Sequence, residues 1–240
     1  MKSAHLSFLL LISTGSVLAQ QPYPSGIKPI EGTLTPRFQS GYQSKCTTHV
    51  QPLPENYVAP GSSTYEVIQD TNDHQQLLIS LESGMDYLRI YFDIEKDGLG
   101  ISNKKPTIET NSPAGMPDIL LSEFKNRLSV IGKPINQHSV ASRNPSCNEI
   151  GETITHISSS GNFIIIGTAI IDGKESVVSG GERELVCSIN KQKVTMKVRG
   201  WDSFDKVSGL PTNASWTVHM VGPPSLPATT TTHECSVSRK

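Results

Sequence analysis

The stretch from residue 162 to 201 constrains the fold most. It carries the longest apolar runs outside the N-terminus, three turn signals and one of the four cysteines. Phe163, Ile165 and Ile171 fall on one alternation and Ile164, Ile166 and Ile170 on the other. A strand with no polar side must be covered on both faces, which predicts a mid-sheet strand in a layered β structure. Asp172-Gly173 follows as a tight-turn signal, because both residues tolerate positive φ. Residues 175–179 return, and Gly180-Gly181 reads as a second turn. Residues 182–189 then alternate, with Leu185, Cys187 and Ile189 inward. Val194, Met196 and Val198 do the same on the next strand, with Lys193, Thr195, Lys197 and Arg199 outward. Both inward sets must face one core, so odd inward positions oppose even ones. Ile189 opposite Val194 meets this with a four-residue loop, 190–193, and sets Cys187 against Met196 and Glu184 against Arg199.

Residues 1–19 read as a secretory signal: Lys2, an apolar core over 6–12, and small residues ending in Val17-Leu18-Ala19. That run is too short to span a bilayer, and nothing later is long enough. In an exported chain four cysteines, Cys46, Cys147, Cys187 and Cys235, imply two disulfides with three possible connectivities. The pairing Cys46–Cys147 with Cys187–Cys235 is expected. No C-x-x-C occurs, and nothing in the sequence calls for a metal or another cofactor. A formal net charge of -1 gives no electrostatic basis for nucleic-acid binding.

Residues 20–45 are rich in Pro, Gly and Ser and read as a disordered, flexible arm. The rest, 46–240, is expected to fold as an antiparallel β-sandwich, either as one unit or as two sub-parts divided near 105–150. Leu88, Ile90, Phe92 and Ile94 point inward from one strand, leaving Tyr87, Arg89 and Tyr91 on its other face. Those tyrosines are either a ligand platform or packing pairs under a second layer. Residues 93–98 match the opening of a calcium loop, but Lys104 stands where a bidentate Glu is required, so a strand ending in an Asp-Gly turn is the simpler reading. One amphipathic helix is predicted over 117–131, from Pro117 to a Gly132 cap, with Leu120, Phe124, Leu128 and Ile131 on its packing stripe and Glu123 and Arg127 on the other side. A long loop follows Trp201, a last strand covers 215–221, and the Pro/Thr-rich segment 222–232 reads as a stiff tail pinned by Cys235. Asn213-Ala214-Ser215 is an N-glycosylation sequon.

The histidines form no H-x-H or H-E-x-x-H, and there is no G-x-S-x-G, so no catalytic machine is legible and a non-enzymatic protein is expected. If the chain follows a simple meander, Gly180, Gly181, Arg199, Trp201 and Phe204 cluster on loops at one end of the sheet. Trp201 is then either an interface anchor or a plug under the sandwich end.

Asn144-Pro145-Ser146, Ser179-Gly180-Gly181 and Arg199-Gly200-Trp201 resemble, in order and separation, the three cleft-inserting loops of chagasin-type inhibitors of papain-like cysteine proteases. The overall plan is similar to the rust transferred proteins, secreted effectors with an inhibitor-like C-terminal region. The resemblance implies an immunoglobulin-type sandwich, a cysteine protease as protein partner, binding through Asn144 and the loop residues above, and delivery into a host cell. The competing expectation is a secreted carbohydrate-binding or carbohydrate-active sandwich using the Tyr87/Tyr91 face.

Overall fold

A computed structural model describes residues 22–51, 61–69, 75–83, 86–111, 118–142, 147, 155–189, 191–222 and 226–240. The signal segment and Asn144 lie outside them. The chain is mainly β. Its strands are β1 (Tyr42–Gln51), β2 (Ser62–Gln69), β3 (Gln75–Ser83), β4 (Asp86–Asp93), β5 (Thr107–Thr110), β6 (Val140–Ser142), β7 (Thr155–Ile171), β8 (Lys174–Ile189), β9 (Gln192–Asp205), β10 (Pro211–Val221) and β11 (Leu226–Arg239), with one helix, α1 (Asp118–Leu128). All eleven strands belong to one antiparallel sheet of order β5-β4-β3-β2-β1-β11-β10-β9-β8-β7-β6. Two stacked sheets, as a sandwich requires, are not what the described residues form.

This sheet cannot be flat. β4 and β7 stand second and tenth in the order, eight places apart, which is about 38 Å at ~4.8 Å per strand. Yet Gly132 lies against Leu99 and Gly100, just past β4, while the His138 N–H donates to the Ile165 carbonyl of β7 at 2.9 Å. Six residues of chain reach at most about 21 Å, so the sheet must curl round the segment that follows α1. Accordingly Leu77, Ile79, Ile90 and Phe92 from one wing join Phe163, Ile165 and Val177 from the other in a single buried cluster with Leu128, Val130 and Ile131. Register shifts in β7–β8 at His156/Ser158 and Ile165/Gly167 help the bend.

The β4 alternation is as expected: Ile90 and Phe92 are buried inside, and Tyr87 and Arg89 are exposed. Asp172 and Gly173 both have positive φ, 48° and 77°, at the β7–β8 turn. The helix is shorter than predicted, ending at Leu128, with Gly132 at φ 81° donating its N–H to Pro36 at 2.7 Å.

Several expectations are corrected. β8 runs straight through Gly180-Gly181, and β9 straight through Arg199, Trp201 and Phe204. The segment read as a tail is β11, a central strand between β1 and β10; four consecutive threonines there are β-branched strand formers. β7 is next to the sheet edge, and Ile170 is 67% exposed. The β8–β9 register keeps the predicted face but is two residues tighter: Ile189 pairs with Gln192, Cys187 with Val194 and Leu185 with Met196. Lys191, at φ 64°, makes the shorter turn possible. Glu184 therefore meets Lys197 at 2.9 Å, not Arg199, which opposes Glu182.

The disulfides are Cys46–Cys235 and Cys147–Cys187. The first joins directly opposed residues of β1 and β11, with Cα atoms 4.0 Å apart. Two disulfides imply an oxidising compartment, extracellular or periplasmic. Residues 22–41 are not a free arm. Tyr23 lies on the outer surface over Gly180, Lys28 exchanges backbone hydrogen bonds with Thr168 at the β7 edge, and Phe38 is buried in the main core.

Candidate functional site

The residues expected to form a loop cluster do lie together, but within strands. Gly180 opposes Trp201, and Gly181 opposes Gly200. Strand alternation sends Trp201 to the outer surface and Phe204 to the inner one. Trp201, 6% exposed, packs with Ala169, Ile171 and Val178, while Phe204, 8% exposed, belongs to the main core. Tyr23 lies across Gly180, and its hydroxyl donates to the Gly200 carbonyl at 3.4 Å. Burial raises the Tyr23 pKa, and the nearby Arg199 charge opposes the rise. Of the predicted set, Arg199 is the exposed side chain. Tyr87 and Tyr91 also sit on the outer surface. Arg89 stacks over Tyr87 at 5.2 Å, and Glu109 accepts from the Tyr91 hydroxyl at 3.1 Å. At the former calcium candidate, Asp93 pairs with Gln76 and Lys104. Among the described residues no three His, Cys, Asp or Glu side chains group as a metal site.

The inner face holds a more developed arrangement. On β9 and β10, Met196, Val198, Trp216, Val218 and Met220 share that face through the pairs Met220–Met196, Val218–Val198 and Trp216–Gly200. All five are half-buried, as Leu81 and Leu88 are, whereas Leu77, Ile79, Ile90, Phe92, Phe163 and Ile165 on β3, β4 and β7 are fully enclosed. Gly200 supplies the room for Trp216, since a Cβ there would overlap the Ser215 carbonyl and the Trp216 backbone.

Polar groups border this apolar strip. From α1, Arg127 lays its guanidinium over the Trp216 ring at 4.8 Å and places Nε 3.7 Å from the Asp202 carboxylate. Asp202 also accepts from the Ser179 hydroxyl. The terminal nitrogens of Arg127 have no hydrogen-bond partner among the described residues. A cavity of about 30 Å³, room for a water or two, lies beside them, lined by Tyr65, Arg127, Ser179 and Asp202 among others. His233 stacks on the other part of Trp216 at 4.8 Å, its Nδ1 2.9 Å from the Thr48 hydroxyl.

Burial, then the positive Arg127, then His49, depress the His233 pKa from 6.5 to about 3. Between those values the unfolded chain binds a proton that the folded one refuses, so stability falls as pH drops from about 6.5 towards 3 and is unaffected above. Replacing His233 with Gln is expected to flatten that part of the stability–pH curve, measured as urea midpoints from pH 7 to 4. An unchanged slope would show that other groups control it.

The sequence pointed only faintly to these residues. Trp216, Val218 and Met220 were legible as one side of a strand, but Arg127 read as a solvent-facing helix residue. Its role depends on where α1 lies against β9 and β10.

No protein-family model matches this chain, and no curated protein matches it. A solved structure of a DUF1329 family protein from Desulfovibrio piger ATCC 29098 aligns over 84% of this chain and 86% of its own, at 10% identity and a TM-score of 0.25. A score that low carries neither a fold assignment nor an activity to this chain.

Proposed function

We propose that this chain is an exported, non-enzymatic binding protein whose ligand is an apolar or amphipathic small molecule held on the inner face of the curled sheet. The observation that carries the reading is the half-buried strip Met196–Val198–Trp216–Val218–Met220, ending at a guanidinium whose terminal donors have no partner among the described residues. Contiguous apolar surface inside a concavity, beside a few fixed polar groups, is the usual composition of a small-molecule site. The apolar body of the ligand lies along the strip, and a hydrogen-bond-accepting end meets Arg127.

The chain has two tryptophans. Trp201→Phe therefore leaves Trp216 as the sole indole reporter. Dodecanoate, kept below its micelle-forming concentration, is expected to change Trp216 emission saturably. Arg127→Gln should weaken the affinity about tenfold or more, the loss of a charge-assisted hydrogen bond worth ~1.5–3 kcal/mol. No saturable change with either protein, both folded by circular dichroism, removes the reading.

A second reading rests on the outer surface, where Tyr87, 38% exposed, stacks with Arg89 beside Tyr91 and Glu109. Planar aromatic and polar groups of this kind suit a saccharide face, and retention on an insoluble polysaccharide that is lost in Tyr87→Ala favours it. The protease-inhibitor reading keeps less support. Gly180 lies beneath Tyr23, and Trp201 and Phe204 are buried on opposite faces, so these residues offer an enzyme cleft no projecting loop.

A further inference from the structure

We infer that the outer-face cleft beside Trp201 is a saccharide seat, filled either by the first sugar of a glycan on Asn213 or by a free sugar. It opens on the opposite face from the apolar strip, with His233 bordering both, and does not depend on ligand binding there. The cleft measures about 320 Å³ and is lined by Asp172, Trp201, Asn213, Thr232 and Glu234, among others. That is at the small end of the range for small-molecule sites, about 300–1,000 Å³.

Two features point to a missing ligand. Trp201 is more than nine-tenths buried, yet its indole Nε1 has no hydrogen-bond partner. A buried donor of this kind needs an acceptor; with the cleft empty the nitrogen is closed to solvent, and a sugar hydroxyl or acetamide oxygen supplies the acceptor once the indole turns towards the cleft. Asn213 is the second. Its Oδ1 accepts from the Cys235 N–H at 2.9 Å, which fixes the carboxamide. Nδ2, the nitrogen that N-glycosylation modifies, is left without a partner among the described residues. The carboxylates of Asp172 and Glu234 and the Thr232 hydroxyl add acceptors at the rim. This acceptor-rich wall suits a neutral polyhydroxylated ring and disfavours an anion.

In the covalent case, Asn213 Nδ2 attacks the anomeric carbon of a lipid-pyrophosphate-linked oligosaccharide. The N–C bond forms, the C–O bond to pyrophosphate breaks with its electron pair leaving on oxygen, and Nδ2 loses one proton. Ser215, the hydroxyl residue of the sequon, is fully buried in the folded chain. Transfer must therefore precede folding, and the sugar is enclosed as β10 and β11 pair.

The test uses the full chain secreted from a eukaryotic host, with Ser215→Ala as the sequon-free control; the Ser215 hydroxyl has no partner to lose. A glycan mass absent from the control, kept by the native protein through a peptide-N-glycosidase digestion that strips the denatured protein, supports the Asn213-linked source. Trp201→Phe should then release the glycan in the native state. If the chain is unmodified, the control is titrated with N,N′-diacetylchitobiose, and a saturable change in tryptophan emission, reduced in Trp201→Phe, supports the free-sugar source. Equal stripping of native and denatured protein, or no modification together with no response to the disaccharide, overturns the seat.

Discussion

Replacing Cys46 and Cys235 together with alanine is expected to lower the thermal midpoint by on the order of 10 °C or more, the largest effect of any pair in the molecule. The bond closes a loop of 189 residues. In the chain-entropy account, cross-linking residues so far apart removes about 5 kcal/mol of freedom from the unfolded chain, and a chain of this size shifts by roughly 2–4 °C per kcal/mol. The Cys147–Cys187 bond closes 40 residues and is expected to contribute about 4 kcal/mol by the same relation. The order of the two effects is as informative as their size. Cys46–Cys235 clamps the sheet where its first and last strands meet, and without it only backbone pairing and the surrounding core hold the two wings together. If removing the shorter bridge lowers the midpoint more, the β1–β11 seam is not where the fold is closed.

Gly200→Ala is expected to destabilise by about 3 kcal/mol, at the upper end of overpacking costs, and to disturb Trp216. The added methyl would overlap the Ser215 carbonyl and the Trp216 backbone. Backbone on the facing strand cannot rotate aside, so β9 and β10 must separate. Gly180→Ala is the control from the opposing strand. There the added methyl meets the Tyr23 ring at 2.5 Å, the end of a side chain that can swing away, and the Gly200 carbonyl at 3.1 Å, which need yield only slightly, so the loss should be smaller, about 1 kcal/mol. Denaturant midpoints, with Trp216 emission in a Trp201→Phe background, read both. Equal effects would mean that the close approach at Gly200 does not hold in solution.

These two glycines show what the sequence concealed. Glycine marks a turn and a close backbone approach alike. Asp172-Gly173 was legible because an acidic residue precedes the glycine between two apolar runs. Gly180, Gly181 and Gly200 read the same way but lie inside strands, where Gly180 makes room for Tyr23, Gly181 for the Asn162 carbonyl and Gly200 for Trp216. Alternation on β4 and on the first half of β9 was legible because one face there is more buried than the other. The seam between β1 and β11 was not, since a pairing of residues 189 apart leaves no local trace. The disulfide pairing and the central place of β11 were lost for that reason. The Arg127–Trp216–His233 group was hidden likewise, because it joins α1, β10 and β11, and only the tertiary fold brings those elements together.

The central claim, that ligand lies on the inner face between α1 and β9–β10, is tested most directly by mapping amide and methyl NMR shifts as dodecanoate is added to the isotope-labelled full chain. The account predicts the largest changes at Arg127, Met196, Val198, Trp216, Val218 and Met220, with Tyr87, Arg89 and Tyr91 unmoved. Changes confined to the Tyr87–Tyr91 surface, or none at saturating ligand, would contradict it.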